Sequence, residues 1–313
     1  MSDFCPKVSI VVPVFNGSNY LADALESALA QTYRNTEIIV VDDGSCDDGA
    51  TRDVAVSYGD RIRYVPKANG GVSSALNAGI AAMTGEYFSW LSHDDIYCKD
   101  KIELQIEYIR QHRDAAFLCG GFEKVDIEGN LLSRVLQDDR TLIENGRQAL
   151  SVYIFGCTTL IKKTCFDDVG GFNEANRTTS DDEMWLKIIR KYKLHYIDKI
   201  LCKERIHPEQ VGARLSDMHE KDRAYFFNSL FANVDINWYV DIDNKKLVTQ
   251  NEKLSEAYFW MANYAAEVGC MDYARRFLLE SLRIRPANLK VLAASTLGLC
   301  RYRKIVSAIM DLK

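Results

Sequence analysis

The chain is poor in residues that break or staple structure. Five prolines and 18 glycines are spread over 313 positions, which excludes long linkers and low-complexity tracts. It has no excess of positive charge, because 39 Lys and Arg stand against 44 Asp and Glu for a net charge of −5. That excludes a globally basic nucleic-acid binder. No two cysteines show a C-x-x-C spacing, and their number, nine, is odd. Neither a zinc site nor a disulfide framework is expected, and free thiols in a reducing compartment are. No apolar run approaches the roughly 18 residues that span a bilayer. The longest, Val291 to Cys300, is about half that. The opening MSDFCPK lacks the charged and apolar regions of a signal peptide. A cytoplasmic protein that does not cross a membrane is expected. What remains, 47% hydrophobic and 27% charged residues, is ordinary for a folded soluble chain.

The first hundred residues alternate strand and helix patterns. Val8 to Val14 is apolar on both faces and rich in β-branched residues, so it reads as a buried strand. Asn19 precedes Leu21, Leu25, Ala28 and Leu29 at helical spacing, as an N-cap would. Thr36 to Val41 is a second buried strand, followed by Asp42-Asp43-Gly44-Ser45. A third covers Ile62 to Val65. Gly70-Gly71 open a small-residue helix through Met83. Tyr87 to Leu91 is a fourth strand that ends in Ser92-His93-Asp94-Asp95, and a helix follows from Lys99 to Gln111. Alternation of this kind predicts crossover units and a mostly parallel sheet, an α/β fold. Beyond Ala115 the pattern becomes mixed, with strands at 116–120 and 158–161, a hairpin of 122–126 with 131–135, and a helix at 182–192. Residues 213–313 read as a separate helical region after a first domain of residues 1–212. Within it, 254–286 suits one hairpin resembling a tetratricopeptide unit.

In such sheets ligands bind beyond the carboxyl ends of the strands. Both acidic pairs fall there. Adjacent carboxylates at a strand end are costly to keep charged without a cation, and Mg²⁺ or Mn²⁺ on oxygen ligands fits Asp94-Asp95. The same tetrapeptide also suits a helix N-cap. Asp42-Asp43 can accept from a base or a ribose hydroxyl, or simply form a turn. Asp181, Asp182 and Glu183 open a helix, where acids favour the dipole. A carboxylate there can equally serve as a general base.

Taken together, these blocks resemble the family 2 glycosyltransferases, inverting enzymes of the GT-A fold and of the bacterial cell-surface polysaccharide type. The matching stretches are VSIVVPVFNGSNYL (8–21), SALAQTYRNTEIIVVDDGSCD (27–47), NGGVSSALNAGIAAMTGEYFSWLSHDDIY (69–97), DKIELQI (100–106), CTTLIKKTCFDDVGGFNE (157–174), SDDEMWLKI (180–188) and ERIHPEQV (204–211). The resemblance implies that Pro13, Phe15 and Asn16 line the nucleotide pocket, with Phe15 replacing the usual Tyr. It implies that Asp43 reads the nucleobase beside Asp42, and that Asn69 and Gly70 lie near the diphosphate. Asp95 would hold Mn²⁺ or Mg²⁺, with Asp94 as a further ligand or a contact to ribose or sugar. His93 stands where many members carry another acid. Asp181 would be the catalytic base, with Ser180 in place of the preceding acid and Asp182 as a competitor. His207 would approach the diphosphate or the acceptor. Leu76 occupies a position where many members have an arginine.

The implied partners are a nucleotide-diphosphate sugar, of UDP type, and a glycan or lipid-linked acceptor. No nucleic acid is implied. Two other classes differ in their requirements. A sugar nucleotidyltransferase needs a basic glycine-rich loop near the N-terminus, and PVFNGSNY has no Lys or Arg. A nucleotide-sugar-binding scaffold has no need of clustered acids. Residues 275–313 carry nine Lys or Arg against two acids, interleaved with Leu, Ile and Val. That composition suits peripheral contact with an anionic membrane face, and also an ordinary solvated helix surface.

Overall fold

The computed structural model describes residues 4–137, 142–143, 146–210, 216–240, 247 and 249–286. In chain order the elements are β1 (Val8–Val14), α1 (Leu21–Leu29), β2 (Thr36–Asp42), α2 (Ala50–Val56), β3 (Arg63–Pro66), α3 (Val72–Ala82), β4 (Tyr87–Trp90), β5 (Ile96–Tyr97), α4 (Lys101–Gln111), β6 (Phe117–Val125), β7 (Leu131–Val135), β8 (Leu142–Ile143), α5 (Gly146–Leu150), β9 (Leu160–Lys162), α6 (Lys163–Val169), α7 (Ser180–Ile189), β10 (Leu194–Arg205), α8 (Ser216–Ala232), α9 (Gln250–Glu267) and α10 (Met271–Ile284). Two compact units result, one from residues 1–144 with 148–222 and the other from 145–147 with 223–313.

The first unit is built on one sheet in the order β3-β2-β1-β4-β9-β6-β10-β5, with β7 on β6 and β8 on β10. The four leading strands are parallel, as right-handed crossovers through helices require. β9 then enters antiparallel to both β4 and β6, so the sheet is mixed. All seven residues of β1 are buried, which explains its lack of alternation. Its register sets Val14 beside Asp42 and Val11 beside Trp90. The loops after β1, β2, β3 and β4 therefore open on one edge. α1 packs Leu21, Ala24, Leu25 and Ala28 against this sheet. Its first turn corrects the expected cap. Tyr20 takes the cap position, and Gly17 O accepts the N–H groups of Tyr20 and Leu21 at 3.2 and 3.0 Å, so the Asn19 side chain is not used.

A charged residue sits inside this core. Lys101 is fully buried at the start of α4. Its Nζ donates to Ser89 Oγ (2.8 Å), Gln105 Oε1 (2.9 Å) and Thr159 O (3.1 Å) and lies 4.3 Å from the Tyr97 ring centre. Burial lowers its pKa from 10.5 to about 7. Between those values the unfolded chain binds a proton that the folded protein does not, so this group makes stability rise with pH across that window. Lys101→Met removes the titration and leaves Gln105 Oε1 without its donor, while Ser89 Oγ and Thr159 O keep other partners, at a cost of about 1–3 kcal/mol near neutrality. Melting wild type and variant between about pH 7 and pH 9 checks the sign. The gap between them should widen with pH, and parallel curves would assign the titration elsewhere.

The second unit is helical. Phe227, Phe231, Tyr239, Ala257, Met261, Ala265, Ala274 and Phe277 form its interior. Thr249 and Glu252 make a reciprocal capping box at the start of α9. Gly269, with φ of +86°, turns the chain into α10. Ser255 and Ser281 hydroxyls meet at 3.0 Å between the two helices. Arg275, Arg276 and Arg283 are exposed on α10, and residues 287–313 of the basic stretch lie outside the described residues. Among the described residues, no helix is long and apolar enough to cross a membrane.

Candidate active site

Four loops at the carboxyl edge of the parallel strands assemble the site. After β1, Asn16 adopts φ of +49° and its amide N–H donates to Ser45 Oγ (2.9 Å). Its side-chain Oδ1 accepts from Cys46 N (2.8 Å), which ties this loop to the one after β2. Pro13 is buried in β1, while Phe15 stands 43% exposed beyond the strand end. Gly17 has no room for a side chain, because a Cβ there would lie 2.2 Å from the His93 ring. The β4 loop therefore packs directly on the β1 loop. Burial holds the His93 pKa below its ordinary value, and the charge of Asp94 only partly offsets this.

Asp42 and Asp43 are both buried and take different partners. Asp42 Oδ1 accepts from Ser45 N (2.9 Å), and its Oδ2 accepts from Tyr64 Oη (2.6 Å). Asp43 accepts from the backbone N–H groups of Gly70 (3.0 Å) and Gly71 (2.6 Å) and pairs with Lys67 Nζ (2.7 Å). Its carboxylate thus sets the loop after β3, and Asn69 is left exposed at the tip.

The two acids after β4 diverge. Asp95, expected to hold the metal, is turned inward and is 3% exposed. Its Oδ1 accepts from Arg205 N (3.1 Å) and its Oδ2 from Cys157 Sγ (3.2 Å). Burial, with the neighbouring charge of Asp94, raises its pKa well above the carboxylate range. Asp94 faces His207, with Oδ2 and Nε2 2.9 Å apart. Both stay largely sheltered, at 15% and 5% side-chain exposure. Among the described residues no group of three or more His, Cys, Asp or Glu could hold a metal ion.

Sequence reading missed the residue that locks this pair. Arg205 ends β10 and is nearly buried. Its guanidinium donates to Asp94 O (3.2 Å), Ile127 O (3.0 Å) and Asp23 Oδ2 (2.8 Å). The Tyr20 ring lies 4.7 Å from the guanidinium carbon and 4.9 Å from the His207 ring. The only available signal was its place two residues before His207. Cys157 also read as one thiol among nine, although it bonds the acid after β4.

The third acidic group enters through α7. Ser180 Oγ meets Ser73 Oγ at 2.7 Å, and Ser73 also donates to Asn176 O (3.4 Å). Asn77 of α3 receives Phe172 N (2.8 Å) and donates to Phe172 O (2.9 Å). The start of α7 is therefore fastened to the helix that follows the Gly70 loop. Asp181 lies in the first turn of α7 at this junction and is half-buried. Burial raises its pKa, against the opposing pull of its own and Asp182's backbone N–H groups and of His219. A carboxylate so raised is a better proton acceptor near neutrality than an ordinary aspartate. Asp182 is exposed.

Comparison with known proteins agrees with this architecture. The family model described as Glycosyl transferase family 2 matches residues 9–170. An uncharacterized glycosyltransferase of Rickettsia felis is 48% identical over 225 residues, which cover 70% of this chain and 37% of that protein. The chain spans about a third of the length of the curated relatives it matches first. Among solved structures, Staphylococcus aureus TarS 1–349 with UDP-GlcNAc superposes at a TM-score of 0.57 with 17% identity, over 93% of this chain and 92% of that one. The mannosyltransferase PcManGT of Pyrobaculum calidifontis, with GDP-Man and Mn²⁺, gives 0.56 at 16% identity, over 97% and 84%. These likenesses establish the GT-A fold, and the family match covers half of the sequence. The chain belongs to glycosyl transferase family 2.

Proposed function

We propose that this chain is an inverting glycosyltransferase that moves a sugar from a nucleoside diphosphate, of UDP type, to an acceptor hydroxyl in surface polysaccharide or glycolipid assembly. The catalytic part is residues 1–212, and 213–313 form a separate region that is helical over most of its described residues. The observation that carries the reading is the Asp94–His207 pair at 2.9 Å, on the same strand edge as the Asp43 loop. TarS with UDP-GlcNAc and PcManGT with GDP-Man support a nucleotide-sugar donor by analogy of fold.

The Asp94 carboxylate suits Mn²⁺ or Mg²⁺, and the His207 imidazole 2.9 Å away would add a nitrogen ligand that Mn²⁺ accepts more readily than Mg²⁺. The ion would sit on Asp94 and His207, with Asp95 supporting the loop from beneath. Bound there, a divalent ion would supply positive charge against the departing nucleoside diphosphate. Pro13, Phe15, Asn16, Asp42 and Asp43 shape the nucleoside end of the pocket, and Asn69 and Gly70 border its diphosphate end. Asp181 accepts the proton of the acceptor hydroxyl as that oxygen attacks the anomeric carbon from the face opposite the leaving group. The bond from that carbon to the diphosphate oxygen breaks in the same displacement, and the configuration inverts.

The exposed arginines of α10 suit peripheral contact with an anionic surface, which a lipid-linked acceptor would place nearby. The test of function is a screen of nucleotide sugars by thermal shift with and without Mn²⁺, followed by donor hydrolysis and transfer to sugar acceptors. A donor that raises the melting temperature only with the ion, and is then consumed, is the expected result. No response to any nucleotide sugar would refute the reading.

A further inference from the structure

We propose that Arg177 binds the diphosphate of the donor and supplies the charge that the chain lacks at Leu76. The inference rests on the donor reading above and goes beyond it to one residue. The Gly70 loop borders the diphosphate in that reading, yet apart from the exposed Asn69 its polar groups are already committed. The N–H groups of Gly70 and Gly71 are both spent on Asp43, and Lys67 is ion-paired to the same carboxylate at 2.7 Å. Leu76 is fully buried in α3 and offers no charge. The loop itself therefore has little left with which to bind an anion.

Arg177 meets this need from the far side of the chain. Its backbone N–H and that of Thr178 each donate to Asp222 Oδ2 at 3.0 Å, and Thr178 Oγ1 does so at 2.9 Å. The loop before α7 is thus pinned. The Arg177 side chain crosses to the donor loop, where Nη1 donates to Gly70 O at 3.2 Å. The guanidinium lies 3.1 Å from where a Cβ on Gly71 would be, and Gly71 has φ of +87°. Glycine is needed there for the backbone conformation, and its lack of a side chain lets the guanidinium lie this close. The side chain is exposed, and among the described residues no carboxylate is within ion-pairing distance of it. One N–H of its planar fork is occupied by a neutral carbonyl, and the other side-chain donors remain available. A guanidinium held this way is preorganised for phosphate oxygens, and charge-assisted bonds of this type are strong. Asp181 follows four residues later, so the same short segment reaches the leaving group and the proton to be removed.

The test uses the intact chain with pairs of nucleoside diphosphate and monophosphate (UDP and UMP, GDP and GMP, ADP and AMP), with Mn²⁺ present. Wild type should bind one diphosphate more tightly than its monophosphate. R177A should lose about 10- to 100-fold in affinity for the diphosphate while its monophosphate affinity stays within about 2-fold, the loss expected for one charged hydrogen-bonding group. R177Q can still donate to the Gly70 carbonyl but carries no charge, so an equal loss separates charge from loop support. R177K should recover part of the affinity. The apo melting temperature of R177Q should match wild type. If both neutral variants bind the diphosphate as wild type does, Arg177 has no such role. If wild type itself prefers no diphosphate, the donor reading fails first and takes this inference with it.

Discussion

Asp181→Asn is expected to leave nucleotide-sugar binding intact and to lower transfer by about 10²- to 10⁴-fold, the range for loss of a positioned general base. The amide keeps the size of the side chain and can still accept from the backbone N–H groups at the start of α7. It cannot take a proton. The pH profile provides a second readout. Burial raises the Asp181 pKa, so the carboxylate becomes protonated, and unable to act, at a higher pH than an ordinary aspartate. kcat/KM should therefore fall with decreasing pH along a limb displaced upward from the usual carboxylate range. The residual activity of the variant should lack that limb. Wild-type turnover by Asp181→Asn would move the base elsewhere, and Asp182 would be the next residue to replace. Loss of donor binding would instead mean that Asp181 belongs to the donor pocket.

Legibility of the fold in the sequence follows how far each element's partners lie along the chain. β1, β2 and β4 announce themselves because a parallel strand covered on both faces must be apolar throughout, as VSIVVPV is. β10 does not. Its residues bulge between Ile197 and Ile200, which turns Asp198 and Lys199 to solvent and breaks the apolar pattern. β5 is two residues long and exists only because β10 lies beside it. α6 has seven residues and no side-chain cap, too little for a period to show. The candidate site divides in the same way. Acids beyond strand ends are visible as residue types at turns. Which of two adjacent carboxylates is fully enclosed is set by partners far along the chain. Arg205 and Cys157 lie 110 and 62 positions from Asp95. No local spacing encodes those bonds, and so the pair Asp94-Asp95 was legible while the division into a more and a less enclosed carboxylate was not.

That division makes the second large prediction. Asp94→Asn should weaken Mn²⁺-dependent nucleotide binding by at least about 100-fold, since even partners outside the ligand shell cost 10- to 100-fold when removed. The amide oxygen can still accept from His207 Nε2, so the melting temperature without ligand should change little. Asp95→Asn should behave differently. Asp95 is enclosed, its pKa is raised by burial and by the charge of Asp94, and the fold therefore favours a neutral group at this position. An asparagine can accept from Arg205 N with its oxygen and donate to Cys157 Sγ with its nitrogen, preserving the shape of both bonds. Metal-dependent binding should stay within a few-fold of wild type. Asp95→Ala is the harsher change, because it empties a buried polar position and strands the Arg205 N–H, at about 1–3 kcal/mol for the unpaired donor. Its effect should appear in the melting temperature of the apo protein, and in binding only as far as the β4 loop loosens. Calorimetry with UDP, with and without Mn²⁺, separates the three variants. If Asp95→Asn abolished the ion's effect while Asp94→Asn kept it, the metal would return to Asp95, and the inward turn of that carboxylate would have to reverse when the ion binds.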